Sequence, residues 1–376
     1  MLDKNTEVLL YLIQLGLNEC TEEKVIHEFD WNALRELATK HGVTAIVVDG
    51  LQCLHEHGKD KSCAGVDRQI RLQMCAQTVA IERQYLLYQK KLIKLLLFYQ
   101  KHGIKTMLLK GYGLSLNYSK PIHRPPGDID VYHFGYGGKA DECLKEEKGI
   151  ITKQNEDKHS TFLYEGLSVE NHAVFVNDEC HPSLQTLEKF FENDSKNAIS
   201  YSFHFVENGN ITVYFPSIET NALFIPLHLA EHFVHGEASL RQICDWFCFV
   251  KANYKYINWN FVENKSKEAG YFEFLCCLNA IILYFMGADA AWLPRWKYEK
   301  NLAEKVLEEI ILQPNTSLDL SLWKKVIKFF SARWKFKMVY KHENLLMASV
   351  RQAQAYNRVK WEKKGESIWV NRFGRI

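Results

Sequence analysis

The sequence predicts an α+β fold, a small mixed sheet set between N-terminal helices and a larger C-terminal helical region. Three observations predict it. Residues 66–102 contain no Gly or Pro and repeat apolar residues at helical spacing. From 103 to 216, short apolar runs alternate with Gly-bounded polar segments, the texture of mixed strands and helices. From 217 onward the helical period returns. The expected division is therefore 1–102 helical, 103–216 α/β and 217–376 helical.

The elements follow in order. The first twenty residues carry acids among apolar positions and have no basic leader, so they read as a helix of the fold and not as a signal peptide. "DWNALRELATKHG" starts on an Asp cap and stops at Gly. Residues 66–102 form one long helix, or two end to end. "IKTMLLK" (104–110) reads as a strand, and "GYGLSLNYS" opens a helix. "GDIDVYHF" (127–134) is a second strand, and "GGKADECLKEEKG" is a helix between glycines. "STFLYEGLSVENHAVF" alternates about Glu165-Gly166, which predicts a hairpin. Beyond 217, Pro226 is expected to kink a helix or start a new one. "YFEFLCCLNAIILYFMG" is apolar on most sides and reads as a core helix.

Bulk composition excludes several classes. A formal net charge of +2 gives no bias toward a polyanionic partner. No apolar run reaches the length of a membrane span, so no membrane partner is expected. The ten cysteines are scattered with no C-x-x-C pair, which fits reduced thiols and a cytoplasmic protein.

The chemistry gathers in "LLKGYGLSLNYSKPIHRPPGDIDVYHF" (108–134). In a strand, residues i and i+2 share a face, so Asp128 and Asp130 lie together and Ile129 and Val131 lie opposite. Burying two carboxylates side by side costs several kcal/mol each. A divalent cation relieves that cost, and oxygen ligands favour Mg2+ or Mn2+ over zinc. Gly127 permits a close approach before the pair, and Lys110-Gly111 breaks the chain upstream. A third acid, Glu170, lies in "LSVENHAVF".

This ordered set resembles the uncharacterised bacterial nucleotidyltransferases of the polymerase-β-like superfamily. The matching residues are Lys110-Gly111, Tyr118, Pro121, Arg124, Gly127-Asp128-Ile129-Asp130-Val131, Glu170 and His172, then "HLAEH" and "LRQICDW", over roughly 100–250. The resemblance implies a nucleotidyltransferase-type mixed sheet and Mg2+- or Mn2+-dependent transfer of a nucleoside monophosphate from a nucleoside triphosphate to a hydroxyl acceptor. It implies metal ligation by Asp128, Asp130 and Glu170. Phosphate contacts fall to Lys110, to the backbone at Gly111 and to Arg124. The superfamily's usual Gly-Ser turn is here Lys-Gly-Tyr-Gly, and the next serine, Ser115, lies one helical turn further on. Arg241 and Asp245, at i and i+4, are expected to pair as scaffolding.

Two other readings compete. His228, Glu231 and His232 spell H-x-x-E-H, a zinc-hydrolase pattern, and His235 shares their arc on a helix. The basic, aromatic stretch 322–342 suits nucleic acid, which would make the chain a non-catalytic nucleotide- or nucleic-acid-binding protein. The bland reading of that stretch is an amphipathic helix with a solvated basic face.

Overall fold

The computed structural model describes residues 2–18, 29–56, 68–155, 159–205, 209–312, 333–351 and 354. The chain opens with α1 (Lys4–Asn18), α2 (Trp31–Lys40), α3 (Thr44–Glu56) and α4 (Arg68–Lys101). The Asp30 carboxylate caps α2 by accepting the Asn32 N–H. Helices α1 and α3 cross where Gly16 and Gly50 face each other's backbones. A Cβ at Gly50 would stand 2.1 Å from the Leu12 carbonyl oxygen, so the crossing admits no side chain there.

A seven-stranded mixed sheet follows, in the order β3-β4-β5-β2-β1-β7-β6. Its strands are β1 (Met107–Leu108), β2 (Ile129–Tyr132), β3 (Lys153–Asn155), β4 (His159–Tyr164), β5 (Leu167–His172), β6 (Ile199–Phe205) and β7 (Gly209–Phe215). Between them lie the single turn α5 (Tyr112–Ser115), α6 (Gly137–Lys148) and α7 (Gln185–Asp194). β1 is shorter than the expected 104–110 because the chain leaves the sheet toward the Lys110-Gly111 turn. One further bond, Leu109 N–H to the Asp130 carbonyl at 3.1 Å, still ties the turn to β2. The β4–β5 hairpin turns at Glu165 and Gly166, both at positive φ, the two-residue geometry that matches strand twist.

The remaining helices are α8 (Ile218–His235), α9 (Leu240–Asn253), α10 (Trp259–Ala269), α11 (Phe272–Phe285) and α12 (Lys300–Leu312), then a short helix at Arg333–Val339 and a helical segment over 345–351. Pro226 neither starts nor ends a helix, since α8 runs through it from the Ser217 cap to Gly236. Three residues before the proline, the Leu223 carbonyl also accepts the Tyr271 hydroxyl at 3.1 Å, which ties α8 to the start of α11.

Two apolar clusters sandwich the sheet. Ile129 and Val131 of β2 join Leu92, Leu95 and Tyr99 of α4 and Ala140 and Leu144 of α6. The other cluster unites α1–α3 with α8–α12 and reaches Tyr132 of the same strand. Alternation therefore points Asp130 away from α4 and toward α8. His41, at the end of α2, fastens the helical regions to each other. Its Nε2–H donates to the Ile311 carbonyl at 3.3 Å, and its Nδ1 accepts the Leu240 N–H at 3.4 Å. Burial pushes this imidazole down to about 4, against a smaller upward pull from the Ile311 bond.

Candidate active site

A cavity of about 560 Å3 opens between the sheet face and α8, and Lys110, Gly111, Arg124, Asp128, Asp130 and Glu170 all line it. β2 and β5 run parallel in a register that sets Asp130 directly opposite Glu170. Asp128 lies just before β2 and is exposed, whereas Asp130 is buried. Lys110 Nζ donates to Asp130 Oδ1 at 2.7 Å. His172, two residues beyond Glu170, shares its face, and its Nε2–H donates to the same Asp130 oxygen at 3.0 Å. That nitrogen also lies 3.4 Å from Glu170 Oε2. His159 of β4 completes the edge, 3.8 Å from Glu170 and stacked on His172.

The charges of these acids follow from their neighbours. Burial pushes the Asp130 carboxyl up, but Lys110 and the His172 bond outweigh it and hold the group well below the usual range. The His172 bond lowers Glu170, and Lys110 and His159 add to it, against burial and the Asp130 charge. Though its residue is exposed at the surface, the Asp128 carboxyl is partly desolvated by the cavity walls, which raises it, and the charges of Glu170 and Asp130 raise it further, with partial relief from Ser168 and Lys110. A carboxyl raised by its acidic neighbours is what a nearby cation would restore. Asp130, Glu170 and His172 place ligand atoms within 4.8 Å of one another, so a metal ion fits this donor set. Asp128 lies on the rim of the same group.

Gly111 adopts φ 57° and ψ −109°, open to glycine alone, and a Cβ there would meet the Asp128 carbonyl at 3.2 Å. The turn and the acid pair are thus backed directly onto each other. Ser115 offers no hydroxyl to a phosphate here. It is fully buried, bonded to the Tyr112 carbonyl at 2.7 Å and the Tyr85 hydroxyl at 2.8 Å.

Arg124 lines the cavity and is also paired within the protein. Its Nε and Nη2 donate to the two Asp245 oxygens at 2.7 and 2.9 Å, and Tyr118 donates to the same carboxylate at 2.7 Å. All three residues are buried. The expected Arg241–Asp245 pair is corrected accordingly, since Asp245 faces across to Arg124 and not along its own helix. Arg241 instead runs past Gly42 and Gly127 and lines the cavity, with one 3.4 Å bond to the Pro125 carbonyl. Sequence reasoning treated it as scaffold.

The α8 wall carries His228, Glu231, His232 and His235, as the helical arc predicted. His228 Nε2 and His232 Nε2 lie 3.1 Å apart, and His232 Nδ1 lies 3.3 Å from Glu237. Among the described residues, no third ligand joins them. Lys110 Nζ stands 3.4 Å from His228 Nε2, an ammonium where a zinc ion would need room. At the far end Tyr340 stacks on His181 with centroids 3.8 Å apart. Glu343 pins that segment by accepting from Ser183, Arg351 and His181. Of the basic stretch 322–342, residues 322–332 lie outside the described residues. In the rest, Phe336 and Tyr340 are buried and Trp334 packs on Phe233, so those rings serve the core and not a stacking surface.

The sequence reading gives His172 no role at the metal, though its i+2 spacing from Glu170 places both on one face. The Tyr118–Asp245–Arg124 contact spans more than 120 residues and left no local trace. A family model described as an uncharacterised nucleotidyltransferase matches residues 27–287. No curated protein and no solved structure matches the chain.

Proposed function

The chain belongs to the uncharacterised nucleotidyltransferase family, and from that premise we propose that it moves a nucleoside monophosphate from a nucleoside triphosphate onto a hydroxyl acceptor. The observation that carries the reading is the register of Asp130 against Glu170 on neighbouring strands, facing a cavity that Lys110 also enters. Asp128, Asp130 and Glu170 hold Mg2+ or Mn2+, with His172 beside them. The bound metal would supply charge neutralisation of the phosphates and of the attacking oxygen. Lys110 and Arg241 meet phosphate oxygens, and the Gly111 turn lets the chain pass close to them. The acceptor oxygen bonds to the α-phosphorus, the bridging α–β P–O bond breaks, and pyrophosphate leaves. Glu170, which is partly exposed, takes the acceptor's proton directly or through water.

Arg124, locked to Asp245, holds the Pro125–Gly127 approach that carries Asp128. The 103–216 block performs the chemistry, and the helices from 217 onward close the cavity and seat the acceptor. No described helix is long and apolar enough to cross a membrane. Free cysteines and a triphosphate substrate support a cytoplasmic setting.

The test is a thermal-shift panel of the four nucleoside triphosphates, ATP included, with and without Mg2+ or Mn2+. A true donor stabilises the fold by mass action, by about 2.7 kcal/mol at one hundred times its Kd, and the midpoint rises accordingly. Combining Asp128→Ala with Asp130→Ala should remove the metal-dependent part. A full shift in that variant would place the nucleotide elsewhere.

A further inference from the structure

We propose that Asp130, Glu170 and His172 form a mixed oxygen–nitrogen centre that selects a first-row transition dication, with Mn2+ as its spectroscopic probe, over Mg2+. This rests on the reading of the cavity as a metal-dependent nucleotidyl-transfer site, and it goes beyond that reading by assigning a ligand and a metal preference.

The geometry points to ligation by the imidazole. Two donors about 2.1 Å from one octahedral ion, on adjacent corners, stand about 3.0 Å apart. His172 Nε2 lies 3.0 Å from Asp130 Oδ1 and 3.4 Å from Glu170 Oε2, close to that edge on both sides. The ring is held in place. It is almost completely buried and stacks on His159 with centroids 5.3 Å apart. Its strand register, Tyr132 opposite His172, is fixed by the same ladder that sets Asp130 opposite Glu170.

The tautomer change adds no new orphan. Without metal, Nε2–H donates to Asp130 and the Nδ1 lone pair is buried with no hydrogen-bond partner. When Nε2 ligates, its proton sits on Nδ1, and the same atom is the one left unmatched. Ligation therefore exchanges one bond to Asp130 for one to the ion. Imidazole nitrogen suits Fe2+, Ni2+ and Zn2+ and is accepted by Mn2+ at the weak end of the Irving–Williams order, whereas Mg2+ prefers oxygen and retains water. A centre made from the three acids alone would carry no such preference.

The experiment titrates the full-length protein with MnCl2 and with MgCl2, and records the electron spin-echo envelope of bound Mn2+. The expected result is a 14N coupling that changes to the 15N pattern on histidine labelling and is absent in His172→Gln. In that variant Mn2+ affinity should fall about 10- to 100-fold while Mg2+ affinity stays close to its original value. His159→Gln should keep the coupling. Bound Mn2+ without nitrogen coupling in the unmodified protein overturns the inference and leaves the carboxylate reading intact, whether or not His172→Gln folds. Coupling that vanishes with His159→Gln and persists in His172→Gln also overturns it. If neither ion binds, with or without a nucleoside triphosphate, the underlying transferase reading fails as well.

Discussion

The two walls of the cavity carry comparable numbers of polar groups and use them differently. The sheet wall presents Asp130, Glu170 and His172 with ligand atoms inside 4.8 Å. The α8 wall presents His228 and His232 at 3.1 Å with no third ligand among the described residues. Both begin as short motifs with correct periodicity. The difference lies in what stands opposite. A strand has a hydrogen-bonded neighbour whose register delivers a further acid to the same face, here Glu170 against Asp130. A helix facing a cavity has no such ladder, and the group that reaches His228 is the Lys110 ammonium. Periodicity places a motif on one face, and a neighbouring element decides whether a site forms.

The comparison breaks most severely at Asp130. Asp130→Ala should abolish metal binding and the metal-dependent nucleotide shift altogether, as read by calorimetry. Retained stoichiometric metal would transfer the centre to the α8 wall.

Next in size is the buried pair behind both walls. Asp245→Ala strands the Arg124 guanidinium, and losing one partner of such a pair costs about 3–5 kcal/mol. The denaturation midpoint should fall accordingly, and Arg124→Met with Asp245→Leu should recover much of it. Recovered stability without recovered nucleotide binding would show that the pair shapes the site.

The helical wall has its own fastening in His41. Its folded value of about 4 lies below the ordinary 6.5, so the neutral ring favours the fold. That contribution is complete above pH 6.5, and it is lost as pH falls toward 4, by about 3 kcal/mol in all. His41→Gln should flatten stability over that window. An unchanged slope would show that the His41 bonds do not hold α9 and α12 to α2.

A smaller effect separates the two arginines. Arg241→Ala should weaken nucleoside triphosphate binding about 10- to 100-fold, the size of one charge-assisted bond, with little change in melting. The smallest effect is expected at the competing H-x-x-E-H motif. Replacing His228 and His232 together by Gln should leave metal stoichiometry unchanged, and loss of bound metal there would reverse the contrast between the walls.

Much of this was legible in the sequence because it obeys local rules. The acids at 128 and 130 follow strand alternation, the β4–β5 turn follows from Glu165-Gly166, and α2, α4 and α6 follow from caps and breakers. Other features depend on distance. Nothing near Asp245 announces Arg124 as its partner, and the nearer Arg241 is the obvious but mistaken choice. Pro226 reads as a break, yet α8 runs through it from Ile218 to His235, and the packing around it includes the Tyr271 hydroxyl on the Leu223 carbonyl, 48 residues away. Trp334 and Phe336 read as a binding surface until their packing is seen, since an aromatic ring looks alike in sequence whether it meets a base or a core.

The Tyr340–His181 stack lies partly beyond the span shared with the family, which ends at 287. The donor end of the cavity thus falls inside the matched span, while Tyr340 at the other end falls outside it. On the proposed reading, members could exchange tails and with them their recipients, keeping one engine under different covers. Grafting another member's residues from 333 onward would then redirect what is modified without altering the nucleotide consumed.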